Sequence, residues 1–247
     1  MTILPIPAPV IEILGLYKDY QTPVGPFPVL KEVNLIIHAG EFVAIMGPSG
    51  SGKSTFMNIL GCLDRPTSGA YVLEGQDVAQ MDKDATARLR GQALGFVFQG
   101  FNLLPRMSLE DNVALPLVYC GIPKEERRRH ARTLLAKVGL EDYAASLPNR
   151  ISGGQQHRVA IARALVNTPR LILADEPTGN LDSHTSEEIM QLFSALNREG
   201  ITIVLVTHEP DIALHAERQV RFLDGRIVHD APTHASTHHF AASGTVC

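Results

Sequence analysis

Three observations predict an α/β fold interrupted by a helical insert. Wholly apolar runs recur at Phe42–Met46, Leu171–Ala174 and Ile201–Val206, the pattern of strands buried on both faces of a sheet. A glycine-rich loop joins the first of these runs directly to a helix start. Between about Phe101 and Leu165 the apolar residues change to helical spacing, which sets a helical insert inside the α/β frame.

In chain order, Val33, Leu35 and Ile37 alternate with Asn34 and Ile36, so Lys31 to Ile37 reads as a strand turning at Ala39-Gly40 into Phe42–Met46. Asp64 to Gly69 reads as a turn, Ala70 to Leu73 as a short strand and Leu94 to Gln99 as a further apolar one. In the insert, Ala131, Leu134, Leu135 and Val138 mark a helix behind the charged run Lys124–Arg129, and Arg127 to Arg129 are expected to form a solvated face. Ile189, Leu192, Phe193 and Leu196 mark an amphipathic helix that Gly200 can cap. Gln219 to Leu223, Asp224-Gly225 and Arg226 to His229 read as a hairpin with a two-residue turn. Residues 1–9 are an extension, 10–230 the domain, and 231–247 a disordered tail without periodicity. His234, His238, His239 and Cys247 could hold a metal, but an unstructured tail offers the ligands no second shell, so none is expected.

The 247 residues, 45% hydrophobic, suffice for one large domain with a buried core. A net charge of -4 gives no basic footprint, so no nucleic-acid partner is expected. The start MTILPIPAPV lacks the basic-then-apolar order of a leader, and nowhere do eighteen apolar residues run together, so a cytosolic chain is expected. Cys62, Cys120 and Cys247 have no metal spacing and read as free thiols.

The glycine-rich loop is Gly47-Pro48-Ser49-Gly50-Ser51-Gly52-Lys53-Ser54-Thr55. Strand, loop and helix N-terminus in that order make a phosphate cradle: glycines let the backbone wrap close, successive N–H groups face the anion, and the helix end is positive. Lys53 supplies a charge for the outer phosphates and Ser54 a hydroxyl for Mg²⁺. Leu171–Ala174 runs into Asp175-Glu176, two carboxylates at a strand end, where a parallel sheet presents ligand-facing groups. Asp175 suits the metal shell, and Glu176 suits a base that orients or deprotonates an attacking water. Between these elements lies Ile151-Ser152-Gly153-Gly154-Gln155-Gln156, with Ser152 as the N-cap of a following helix.

Phosphate loop, ISGGQ and Asp-Glu strand, in that order, resemble the ATP-binding-cassette ATPases, whose signature LSGGQ stands here as ISGGQ. The resemblance runs from about Val10 to Asp230 and implies a P-loop NTPase fold, an ABC-ATPase core with an antiparallel β subdomain and a helical subdomain. It further implies that Tyr20 stacks on adenine, that Gln99 touches Mg²⁺ and the water, that Asp182 is a D-loop carboxylate and that His208 meets the γ-phosphate. His157 replaces the glutamine usual in close relatives and is expected to be a neutral surface residue. Phe96–Val113, Gly61–Gly69 and SGGQQHRVAIARAL resemble the MacB/LolD group. That group implies an ATPase driving a separate transmembrane permease, with a periplasmic adaptor reached through it, on the cytoplasmic face of the inner membrane; an FtsE-like regulator of a cell-envelope complex is the alternative. In the family the phosphate loop and signature of one chain face opposite directions, which implies a head-to-tail dimer with ATP at Gly47 to Thr55 of one copy closed over by Ser152, Gly153 and Gly154 of the other, with Gln155 beside them as a further nucleotide-binding residue. The permease is expected to dock near 99–115, at an apolar patch around Leu103, Leu104 and Pro105.

Overall fold

The computed structural model describes residues 8–233. Two sheets and a helical insert share them. Strands β1 (Pro9–Thr22), β2 (Gly25–His38), β4 (Ser68–Leu73) and β5 (Gln76–Asp77) form an antiparallel sheet in the order β2-β1-β4-β5. The second sheet has the order β10-β9-β3-β8-β7-β6, from β3 (Phe42–Met46), β6 (Leu94–Phe98), β7 (Leu171–Asp175), β8 (Thr202–Val206), β9 (Arg218–Leu223) and β10 (Arg226–Pro232). Strands β9, β3, β8, β7 and β6 run parallel, and β10 pairs antiparallel on the edge.

Residues of β2 alternate between buried and exposed because one face packs inward, whereas β3 and β8 are buried throughout. Helices α1 (Lys53–Leu60) and α2 (Lys83–Ala93) belong with the sheets. The insert holds α3 (Leu109–Tyr119), α4 (Lys124–Lys137) and α5 (Gly153–Leu165), and the frame is completed by α6 (Ser183–Arg198) and the short α7 (Pro210–Ala213). Ser108, Ser152 and Asp182 each start their helix by accepting the backbone N–H three residues on. Gly200, at φ +96°, follows the end of α6 in the left-handed conformation that such an end requires.

One core lies between the two sheets, centred on Phe56, Tyr71 and Phe222, and a second covers the other face of the parallel sheet with Ile189, Phe193 and Leu205. The insert has its own core of Leu109, Val113, Ala131, Leu135 and Val138. Helix α5 serves two of the three: Ile161, Ala164 and Leu165 join the sheet core, while Val159, Ala162 and Val166, just past its end, join the insert. Gly95 lets α5 touch β6 directly, since a Cβ there would stand 2.6 Å from the Ala164 carbonyl oxygen.

Several expectations are corrected. The sequence pattern misses β1 and α2, and β2 begins at Gly25 rather than Lys31. Arg127 and Arg128 are not free surface charges: Arg127 donates to the Ile122 carbonyl at 2.9 Å, and Arg128 bridges Glu110 at 3.3 Å and Asp111 at 3.2 Å, tying α4 to α3. Arg132 joins the same buried Glu110 carboxylate at 2.7 Å. The domain also continues past Asp230, because β10 runs to Pro232 and the Thr233 N–H donates to the Glu217 carbonyl at 2.8 Å. His234, His238, His239 and Cys247 lie outside the described residues. Cys62 and Cys120 are free thiols, and no cluster of metal-ligating side chains exists among the described residues.

Candidate active site

The parallel register decides where the chemistry meets. Phe98 pairs with Asp175, Asp175 with Val206 and Val206 with Ile45, so β6, β7, β8 and β3 end level with one another. Immediately beyond those ends come Gln99, Glu176, His208 and the phosphate loop. Four segments distant in sequence thus leave one sheet edge side by side, the place where such sheets bind ligands.

The loop is shaped for an anion. A Cβ at Gly47, whose φ is +151°, would stand 2.3 Å from the Phe222 carbonyl oxygen, so only glycine fits. Gly52, at φ +102°, opens α1, and its N-terminal N–H groups are left facing the loop. The Ser51 hydroxyl is buried without a hydrogen-bond partner, an orphaned donor suited to an anion held in the loop. Lys53 is buried and donates to the Gly47 and Pro48 carbonyls at 2.7 and 2.9 Å. Around this loop lies a cleft of about 670 Å³, walled by Pro48, Ser49, Lys53, Thr55, Glu176 and His208 and flanked by Phe27 and Val29.

Burial and the neighbouring Glu176 raise the Asp175 carboxyl, with Lys53 opposing them. A half-buried carboxylate in that position calls for a cation, and with the Ser54 hydroxyl the donor set suits Mg²⁺. Glu176 adopts φ +44°, an unfavourable conformation for a side-chain-bearing residue, and its Oε1 lies 2.9 Å from His208 Nδ1. Both residues line the cleft.

Other expected residues lie elsewhere. Gln99 is outside the cleft walls, its amide against Gly179, where a Cβ would meet Nε2 at 2.5 Å. Tyr20 is likewise not a wall: its hydroxyl donates to Asp64 at 2.8 Å, Lys18 sits 4.7 Å over its ring, and it lies beside Thr55. The aromatic in the cleft wall is Phe27, directly across β1–β2 from Tyr20 and missed in the sequence, where it stands in a Pro/Gly-rich stretch. Ser152, Gly153, Gly154 and Gln155 are absent from the cleft. Gln155 closes a capping box by accepting the Ser152 N–H at 2.9 Å, so its side chain serves the helix start. Asp182 caps α6, accepting from Thr185 N at 3.0 Å and Thr185 Oγ1 at 2.7 Å.

The profile of the ABC transporter family matches residues 30–179. The chain belongs to that family. It is 56% identical over 218 residues to the ABC transporter ATP-binding protein YknY of Bacillus subtilis (strain 168), covering 88% of this chain and 95% of that protein. It is 52% identical over 236 residues to the pyoverdine export ATP-binding/permease protein PvdT of Pseudomonas aeruginosa, of which it spans 36%. A dimeric structure of the ATP-binding cassette MJ0796 in a post-hydrolysis state, bound to ADP and Pi, matches with a TM-score of 0.83 and 45% identity, covering 90% of this chain and 98% of that one.

The cassette is therefore an ATPase with an ABC fold, and the antiparallel sheet and helical insert are those expected of it. Among its described residues no helix is long and apolar enough to cross a membrane. His157 is corrected: it is completely buried in α5, and desolvation lowers its pKa from 6.5 to about 4, so it is neutral but not at the surface. In the expected docking patch Leu104 and Pro105 are exposed, while Leu103 is half-buried and packs on the insert core. A second groove, of about 380 Å³, lies beside β6 where α2, α3 and α5 approach it, lined by the apolar Leu94, Phe96, Phe98 and Ala164 and by the polar Arg90 and Asn167. Asn112, unremarked in the sequence, is wholly buried and organises the 104–108 loop: its Oδ1 accepts from Leu104 N at 2.7 Å, and its Nδ2 donates to the Leu104, Met107 and Ser108 carbonyls at 3.0–3.1 Å.

Proposed function

We propose that this cassette is the ATP-hydrolysing subunit of an export-type transporter of the MacB/LolD kind, working as a head-to-tail dimer on a separate membrane permease. The observation that carries the reading is the alignment of strand ends: it gathers Lys53, Glu176 and His208 at one cleft and leaves the ISGGQ helix end out of that cleft. A cleft open on the side where the γ-phosphate would lie needs a second wall, and Ser152, Gly153 and Gly154 of another copy supply it with N–H and hydroxyl donors.

In this mechanism the loop N–H groups and Lys53 hold the β- and γ-phosphates, and Tyr20 with Phe27 flanks the base. Ser54 and Asp175 would hold Mg²⁺, which when bound neutralises phosphate charge, and Gln99 would join them only once its amide leaves Gly179. Glu176 takes the proton of the attacking water, and His208 keeps that carboxylate oriented while facing the γ-phosphate. Asp182 faces the dimer partner. Loss of the γ-phosphate removes the contact that joins the two copies, and opening of the dimer does the work. The groove beside β6, next to the 99–115 segment, receives a segment of the permease, which holds the cassette on the cytoplasmic face of the membrane and links it to a periplasmic adaptor.

Light scattering on a Glu176→Gln background tests the dimer. ATP should produce a dimer there, and adding Ser152→Arg should abolish it while nucleotide binding stays near wild type. A dimer that persists refutes the head-to-tail arrangement. Co-purification from membranes should yield a permease; an envelope hydrolase regulator in its place would refute the transport assignment.

A further inference from the structure

His157 lies on the face of α5 that carries Gly153 one turn earlier. It has no exposed surface, and neither ring nitrogen has a hydrogen-bond partner. Burying two unsatisfied polar atoms is costly, so the ring has to be contributing something other than polarity. Its visible contact is with Phe101, edge to face, with centroids 5.0 Å apart and planes at 81°.

Phe101 belongs to the segment just after Gln99. Its ring also touches the Gly153 position, where a Cβ would stand 3.8 Å from Cζ. Phe101 and Asn102 are both left-handed, at φ +58° and +50°, a conformation that side-chain-bearing residues keep only when held. Arg163, further along α5, holds them by donating to the Phe101 and Asn102 carbonyls at 2.8 and 2.6 Å. At the other end of the segment, Asn180 Nδ2 donates to the Gln99 carbonyl at 3.1 Å. The segment from Gln99 to Asn102 is thus clamped between the loop before Asp182 and the helix that begins at Ser152.

We infer that His157 is a positioning residue for hydrolysis: through Phe101 it fixes the Gln99 segment against the ISGGQ end of α5. This inference rests on the head-to-tail reading, in which Gln99 serves the chain's own nucleotide and the ISGGQ end serves that of a second copy. The His157–Phe101 contact then sets the geometry of one site relative to the other. A flat ring with two side-chain torsions does this better than a longer, more flexible side chain, because less freedom is lost in holding it.

The test is steady-state ATP hydrolysis by the full chain together with equilibrium binding of a fluorescent ATP analogue, for His157→Ala, Phe101→Ala, the double variant and His157→Phe. Each alanine variant should lower kcat about tenfold with analogue binding within about twofold, and the double variant should fall no further than the worse single one, as coupled residues do. His157→Phe, which keeps a ring in the socket, should recover kcat to within about threefold of wild type. Unchanged kcat in His157→Ala, additive losses in the double variant, or no recovery in His157→Phe would each overturn the inference. Should His157→Ala fail to fold, Phe101→Ala removes the same contact from a half-buried loop position and carries the same expectations. Ser152→Arg assayed alongside separates the two ideas: normal turnover in it sinks the dimer reading, whereas a dead Ser152→Arg beside a normal His157→Ala sinks only the role given to His157.

Discussion

Replacing His157 by Phe should flatten the acid limb of the cassette's stability profile. The folded chain holds this imidazole at about 4 against an ordinary value of 6.5, because the buried ring has nothing to offset its charge. A folded-state pKa below the unfolded one gives stability that is complete above pH 6.5 and lost as pH falls towards about 4. At ~1.4 kcal/mol per pKa unit, moving from about pH 7.5 to about pH 5 should cost roughly 2 kcal/mol through this one residue. For a domain of this size that corresponds to a melting temperature lower by roughly 4–8 °C. Phenylalanine has no proton to gain, so the variant should lack this part of the drop, and groups that titrate alike in both proteins cancel. Differential scanning calorimetry of the two proteins without nucleotide, at both pH values, measures the difference. Equal drops in wild type and variant would show that the imidazole reaches water or a partner in solution, and the buried, neutral assignment would fall.

Glu176→Gln should bind Mg-ATP while hydrolysing it at least about a hundredfold more slowly, the scale of losing a positioned base; near-normal turnover in the purified variant would mean that another group takes the proton. Asn112→Leu should lower stability by about 2–4 kcal/mol in urea unfolding, since the Leu104 N–H and the Met107 carbonyl lose their partner while the Leu104 and Ser108 carbonyls keep only a backbone donor each, and a cost below about 1 kcal/mol would show that the 104–108 loop holds itself. A chain ending at Thr233 should keep its ATPase rate within about twofold of wild type, because residues 234–247 are mostly small and polar and carry no apolar periodicity. One ending at Asp230 should melt lower, because it loses the β10 pairing of Ala231 and Pro232 and the Thr233 bond to Glu217; identical melting of the two would refute the longer boundary.

Sequence made the site legible where the chemistry is local. The phosphate loop, the Asp175-Glu176 strand end and the Ser152 cap are each written in consecutive residues, and the Asp224-Gly225 hairpin turn adopts the two positive φ values that its residues favour. β1 was hidden because bulges between Ile13 and Asp19 break its alternation. α2 was hidden because KDATARLRGQA is mostly polar and buries only Thr86, Leu89 and Ala93. The burial of His157 is written in its helical position: it precedes Ile161 and Ala164 by one and two turns, on a face whose apolar residues read as core. Its partner Phe101 and the four-bond role of Asn112 are contacts between segments, and no periodicity encodes them. The place of Tyr20 beside Asp64 depends in the same way on where a turn more than forty residues distant settles.

The double membership of α5 makes it a lever. Its far end is seated where Ala164 meets Gly95 backbone to backbone, a contact too close to slide, while its near end, which carries Ser152, rests on side chains alone, Gly154 against Thr185 and Gly153 against Phe101 and Leu181. Twelve residues of helix separate the two, about 18 Å at the usual rise per residue. A tilt of about 10° about the Gly95 seat would therefore sweep the signature end through roughly 3 Å, the difference between a hydrogen bond and none. Because Val159 and Ala162 along the shaft are embedded in the insert core, that sweep cannot occur without dragging α3 and α4 along, so in a head-to-tail dimer a push on the insert from outside would reach the nucleotide of the neighbouring copy already magnified.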